Sequence, residues 1–181
     1  MLKSSFAAML VMMMGLGMVG CSTTPNTEEK RDALDADVNA TLASMKAESP
    51  EFASFVARGY AYAVYPSLGE GAFIVGGGGG RGEVFKQGTM IGYSTMKKAT
   101  VGAQIGGQEY SEVIVFETDA ALSKFINQEY KFAANANAVA LKSGVAANAK
   151  FQDGVAIFQY TKGGLMASAA VGGQSFTYVA K

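Results

Sequence analysis

Apolar residues recur at Leu34, Val38, Leu42 and Met45, with polar residues filling most of the positions between them. This i, i+4, i+8, i+11 spacing lines one face of a helix and predicts an amphipathic helix over 28–48. Ser49-Pro50-Glu51 then restarts the chain. Serine is a good N-cap, proline suits the first helical position, and glutamate favours the first turn. A second helix over about 50–58 is expected to bury Phe52, Phe55 and Val56 and to end at Gly59. From Tyr60 the pattern becomes that of strands. Ala61–Tyr65 reads as a short apolar strand stopped by Pro66. Ala72–Gly76 and Gly82–Lys86 are two more, joined through Gly77-Gly78-Gly79-Gly80-Arg81, and Thr89–Tyr93 is another.

Two later segments match each other: Ile105–Val113 and Val171–Val179 both carry a Gly-Gly pair between β-rich runs. Glycine takes positive φ without a Cβ clash, as a two-residue hairpin turn requires. Both segments therefore read as hairpins, about 97–105 with 108–116 and about 164–171 with 174–180. Thr118 caps a middle helix whose apolar face is Leu122, Phe125 and Ile126 and which ends near Gln128. Residues 131–150, rich in Ala and Asn, carry weak signals, and Val155–Tyr160 is a strand. Helices, strands, one helix and again strands predict an α+β fold. Its sheet should be mainly antiparallel or a partly closed barrel, with N-terminal helices and one middle helix.

The N-terminus has a different pattern. Lys3 precedes an apolar run from Phe6 to Gly20, and the chain turns polar directly after Cys21. A charged start, an apolar stretch of about 7–15 residues and small residues at the cut make a secretory signal. The run is shorter than the roughly 20 residues that cross a bilayer. Met18-Val19-Gly20-Cys21 resembles a lipobox, with Met18 in place of the more usual leucine. That resemblance implies a diacylglyceryl group on the Cys21 thiol and a third acyl chain on the new amino terminus. At about 0.8 kcal/mol per buried CH₂, two or three chains hold a protein stably in a membrane. Ser22 follows the cysteine where aspartate would signal inner-membrane retention, so the address resembles that of the outer membrane. The expected organisation is a signal peptide over 1–20, a tether over 21–27 and one domain over 28–181.

Composition narrows the chemistry. The chain has no histidine, and Cys21 is its only cysteine. That excludes His/Cys zinc sites, Ser-His-Asp and Cys-His catalysis, and an intramolecular disulfide. No cofactor, no metal and no enzymatic activity are expected; carboxylate and lysine chemistry are what remains, and a hydrolase acting on lipid or glycan is a third class to weigh. Glu70, Glu83, Glu109 and Glu112 offer carboxylates, but no spacing among them specifies a catalytic pair. Removal of the signal with Lys3 leaves 14 basic against 15 acidic residues, without the basic excess of a general nucleic-acid binder. Gly77-x-Gly79-x-x-Gly82 formally fits a dinucleotide fingerprint, but a strand-like Glu83-Val84-Phe85-Lys86 follows where a helix is required. The glycine run reads instead as a turn or bulge where backbones approach closely.

Arg81, Lys97 and Lys98 are the candidate lipid-headgroup contacts. Lys86, Lys142, Lys150 and Lys162 could join them in space. Each charge near an anionic surface contributes about 1 kcal/mol. Adjacent residues of a strand point to opposite faces, so Lys97 and Lys98 form one patch only if the strand bends. The eight tyrosines could line a membrane interface or fill a β core.

The order of motifs is itself informative. Ala61 to Pro66, the glycine-rich Gly69–Gly82 stretch and Gly92-Tyr93-Ser94 come first. Val101-Gly102-Ala103-Gln104-Ile105-Gly106-Gly107-Gln108 with Val113-Ile114-Val115-Phe116, and Tyr160-x-Lys162-Gly163-Gly164-Leu165, follow. Together they resemble the SYLF-domain family over about residues 30–181. The family often has a proline shortly after its Gly-Trp/Tyr-Ser element, where this chain has Thr95-Met96, so a local difference in a loop is expected there. Eukaryotic relatives are lipid-binding modules that favour phosphoinositides, and some bind actin. Bacterial members are mostly secreted or lipid-anchored. The resemblance implies lipid binding rather than catalysis.

The leading expectation is an outer-membrane lipoprotein, attached through Cys21, whose domain binds phospholipid or another amphiphile at the membrane surface. Its partners would be membrane lipids, through the anchor and through the domain, with no nucleic acid. The alternative is a non-catalytic envelope scaffold that docks a protein partner on the 28–48 helix.

Overall fold

The computed structural model describes residues 24–72, 75–101, 107–129, 132–133, 138–140, 149–161 and 171–181. The expected signal peptide, Cys21, the first arm of the 164–180 hairpin, Lys142 and Lys162 lie outside the described residues. Three helices are α1 (Glu28–Glu48), α2 (Pro50–Arg58) and α3 (Asp119–Ile126). The strands are β1 (Ala61–Ala72), β2 (Val75–Lys86), β3 (Thr89–Val101), β4 (Gly107–Phe116), β5 (Phe132–Ala133), β6 (Ala138–Ala140), β7 (Val155–Tyr160) and β8 (Val171–Ala180). They form one sheet in the order β5-β8-β3-β2-β1-β4-β7-β6. All described pairs are antiparallel except β6 with β7. The fold is α+β, with an open sheet rather than a barrel.

Local signals set the helices. Thr27, Ser49 and Thr118 each accept a hydrogen bond from a backbone N–H of the first turn, which satisfies one of the donors that a helix start leaves unpaired. The apolar stripe of α1 buries Val38, Leu42 and Met45, and α2 buries Phe52, Phe55 and Val56. Both pack on one face of the sheet, against Val64, Phe85, Val113, Val115 and Phe158. Each such side chain contributes about 1.5–3 kcal/mol on burial. On the other face α3 places Leu122 and Phe125 among Ala63, Tyr65, Ile114, Phe116 and Phe176. Tyr60 Oη donates to Asp119 Oδ1 at 2.8 Å and Lys86 Nζ reaches the same oxygen at 3.4 Å, pinning the start of α3 to the ends of β1 and β2.

Four strand expectations are corrected. Pro66 does not stop β1, which continues to Ala72. The register shifts at Pro66-Ser67 against both neighbours. A proline has no N–H for the ladder, and a bulge is where a central strand tolerates that loss. The Pro66 carbonyl there accepts from Ser111 Oγ at 2.7 Å. The glycine run is not a turn but the first half of β2, paired with β3 from Val75↔Val101 to Lys86↔Thr89, and the expected close approach of backbones occurs there at Gly79 and Gly80. The expected 97–116 hairpin does not form: β3 pairs with β2 and β8, while β4 pairs with β1 and β7. Nor do Gly172-Gly173 make a turn, because β8 runs through them beside β3. In both Gly-Gly segments the β propensity was read correctly and the pairing was not. Likewise β3 passes straight through Thr95-Met96, where a loop difference was expected.

The sheet is strongly curled. Four steps separate β8 from β4, which in a flat sheet is about 19 Å at 4.8 Å per step. Yet Gln174 Nε2 on β8 donates to Glu112 Oε2 on β4 at 3.0 Å. The backbones approach closely where β2 meets the β1 bulge. A Cβ on Gly80 would collide with the Ser67 carbonyl and crowd Leu68. Gly80→Ala is therefore expected to destabilise the fold by about 1–3 kcal/mol through overpacking. Gly69→Ala, where a Cβ meets nothing within 4 Å, should shift stability by no more than about 0.5 kcal/mol. Chemical denaturation of the two variants side by side checks the contrast.

Candidate functional site in the trough beneath helix one

Cross-strand partners share a face, so the register decides which side chains meet. On the face covered by α1, Arg81 lies opposite Thr95, and Lys97 opposite Gly79. Arg81, Thr95 and Lys97 line a cavity of about 530 Å³ together with Lys30, Ala33, Leu34 and Asp37 of α1. Pro25, Pro66, Ser67, Gly79, Gly80 and Met96 complete it. It combines aliphatic surface with three cations, in the size range of small-molecule sites. Thr95 is buried, and its Oγ1 has no hydrogen-bond partner among the described residues. A buried hydroxyl without a partner costs free energy, which a ligand oxygen would recover.

A second, polar cavity of about 220 Å³ adjoins the first, sharing Asp37, Pro66 and Ser67 with it. Its other walls are Ala40, Thr41, Ser44, Glu109, Ser111 and Tyr160. Ser67 Oγ donates to Glu109 Oε1 at 2.8 Å and fixes that carboxylate at the rim. The two cavities form one trough along the flank of α1, cationic and apolar at one end, hydroxyl- and carboxylate-lined at the other.

Of the three expected headgroup residues, Arg81 and Lys97 come together and Lys98 does not. Lys97 is exposed, whereas Lys98 is buried on the opposite face, where its Nζ donates to Tyr110 Oη at 3.3 Å. The strand stays extended there, so the neighbours diverge. Lys86 sits with Asp119, away from the trough. Lys30, Asp37 and Thr95 were missed. Lys30 and Asp37 are seven residues apart on α1, two turns of one stripe, but which strands lie beneath that stripe depends on non-local pairing.

The face bearing Lys98 has its own polar interior. Glu112, fully buried, accepts from Gln159 Nε2 at 2.7 Å and from Gln174 Nε2 at 3.0 Å. Tyr65 Oη and Ser94 Oγ share a hydrogen bond of 2.7 Å. Burial, with the Glu112 charge adding to it, raises the Tyr65 phenol above its ordinary value and keeps it neutral. Among the described residues no three His, Cys, Asp or Glu side chains gather as metal ligands. No described helix is long and apolar enough to cross a membrane, which leaves strands out of account.

Glu83 lies under α1 on the trough face of β2, two residues from Arg81, and is buried. Burial and the nearby Asp35 push its carboxyl up to about 7, against a weaker opposite pull from Lys181. Because this is above the unfolded value of 4.5, the folded state holds the proton more tightly. Stability should therefore fall as pH rises from about 4.5 to 7, with the full cost present above 7. Glu83→Gln is expected to remove that slope and to stabilise the protein at pH 8 by on the order of 1 kcal/mol, discounted for screening. At pH 4.5 it should change little. Thermal melts of both proteins across this range give the comparison.

Comparison with known proteins adds to this geometry. Residues 97–179 match the family described as Ysc84, Las17-binding protein actin regulator. Beta cell expansion factor A of Aeromonas veronii is 28% identical over 149 residues, which covers 82% of this chain. The chain spans 57% of that relative's length.

Proposed function

We propose, from the match of residues 97–179 to the Ysc84 (SYLF) family and the likeness to a bacterial relative, that the chain is a SYLF-type, non-catalytic, lipid-anchored envelope protein whose trough beneath α1 holds a phospholipid or similar amphiphile. The observation that carries this reading is the trough itself, which places Arg81, Lys97 and Lys30 around aliphatic surface from Ala33, Leu34 and the two prolines. An anionic headgroup and the start of an acyl chain suit such a lining. The unpartnered Thr95 hydroxyl adds a donor.

Position supports it as well. Pro25 lines the cavity and lies four residues from Cys21. Four residues span at most about 14 Å, so an acylated Cys21 would hold the trough close to the bilayer surface. A tethered domain meets lipid at high effective concentration, and weak headgroup contacts then suffice. The address proposed is the periplasm-facing outer membrane, on the lipobox-like Met18–Cys21 followed by Ser22. The scaffold alternative gains less from the fold, because the apolar stripe of α1 is buried against its own sheet.

Two measurements test the reading. Protein beginning at Ser22 keeps every described element and should float with phosphatidylglycerol vesicles at low salt. At about 1 kcal/mol per charge, the Arg81→Ala/Lys97→Ala pair should weaken this binding roughly 30-fold, and salt should weaken the wild type in the same direction. Binding that the pair leaves intact would remove the trough as the site. For the anchor, Cys21→Ser should abolish metabolic labelling with a palmitate analogue while the domain still folds. Label retained by the serine variant would sink the lipoprotein proposal.

A further inference from the structure

The trough carries opposite charges at its two ends, and a purely anionic headgroup uses only one of them. At the first end Arg81, Thr95 and Lys97 converge from neighbouring strands. Thr95 Oγ1 is buried without a partner among the described residues and can donate to a phosphate oxygen. At the second end Asp37 and Glu109 line the polar cavity, with Ser67 Oγ holding one oxygen of Glu109. Asp37 lines both cavities and so stands at their junction. A ligand crossing that junction meets cations first and carboxylates next.

We propose that the trough selects a phospholipid whose headgroup carries a primary ammonium, with the phosphate at the Arg81–Thr95–Lys97 end and the ammonium at Asp37 and Glu109. The proposal rests on the lipid-binding reading above and names the headgroup class within it. An anion ending in glycerol leaves both carboxylates without a cation. A quaternary ammonium brings the charge but no N–H to donate. A primary ammonium brings three donors, which suit two carboxylates and the nearby Thr41 and Ser44 hydroxyls. The ester-linked tails leave from the phosphate side, where Leu34, Ala33 and Pro25 supply the aliphatic wall.

The test is titration of the protein beginning at Ser22 with short-chain lipids kept below their micelle concentration. The probes are dihexanoyl phosphatidylethanolamine, phosphatidylcholine and phosphatidylglycerol, beside free phosphoethanolamine. The ethanolamine lipid should bind at least tenfold more tightly than the other three probes. Asp37→Asn/Glu109→Gln should erase that preference while phosphatidylglycerol binding holds or tightens. Asp37→Lys should reverse it in favour of phosphatidylglycerol, a gain of affinity that a misfolded protein cannot produce.

Equal binding of the ethanolamine and glycerol lipids, unmoved by these substitutions, would overturn the headgroup inference and leave the lipid-binding reading standing. Free phosphoethanolamine bound as tightly as its lipid would overturn the lipid as the source of the group. Failure of all the lipids to bind would overturn both readings of the trough.

Discussion

The structure depends on one close approach of two backbones, where the Pro66-Ser67 bulge of β1 presses against the glycines of β2. A side chain at Gly80 would push these strands apart at the Ser67 carbonyl. The sheet curls tightly enough for β8 and β4, four strands apart in order, to join through Gln174 and Glu112. The same bulge exposes the Pro66-Ser67 backbone on the α1 side, where it forms the ridge shared by the two cavities. A Cβ on Gly79 or Gly82 would meet the Met96 or Val64 carbonyl as closely, so the glycines of β2 let both neighbouring strands approach here.

The two faces of the sheet handle polar groups differently. Beneath α3, Glu112 is enclosed by amide donors from β7 and β8, and Lys98 meets a tyrosine hydroxyl. One oxygen of Glu112 is paired inside the protein in this way, as burial demands. Beneath α1 Glu83 is buried, while Arg81, Lys97 and Asp37 line the cavity, and Thr95 Oγ1 is left without a hydrogen-bond partner among the described residues. What sets Thr95 apart is its place at a cavity wall, where a ligand oxygen can reach it.

The legibility of the sequence followed the range of the interactions. All three helices could be read to within a residue or two, because Thr27, Ser49 and Thr118 act on amides three residues away and the apolar stripes repeat within a few turns. The β propensity of 97–101, 107–116 and 171–180 was equally visible. Pairing was not, since β3 and β4 are consecutive in sequence and yet flank the β1–β2 pair. Glycine pairs suggested turns, whereas in β2 and β8 they occur within strands. The site was half legible: the register gathers Arg81 and Lys97, and strand alternation sends Lys98 away. Lys30 and Asp37 needed the placement of α1 over the sheet, which no local pattern encodes.

The strand order also bears on how the chain can acquire its shape. The segment that matches the Ysc84 family, 97–179, begins within β3 and ends within β8, but the β1–β2 pair lies inside the arrangement that segment builds. It cannot be excised as a separate folding unit, because β4 would lose β1 along one edge and β3 would lose β2. Assembly must also wait for β8, the last of the described strands in the sequence, before β3 has both neighbours. Contacts of such high sequence separation slow folding, since loop closure is lost before pairing compensates for it. The contact between Gln174 and Glu112, which joins strands four places apart, therefore closes only once β8 has paired with β3.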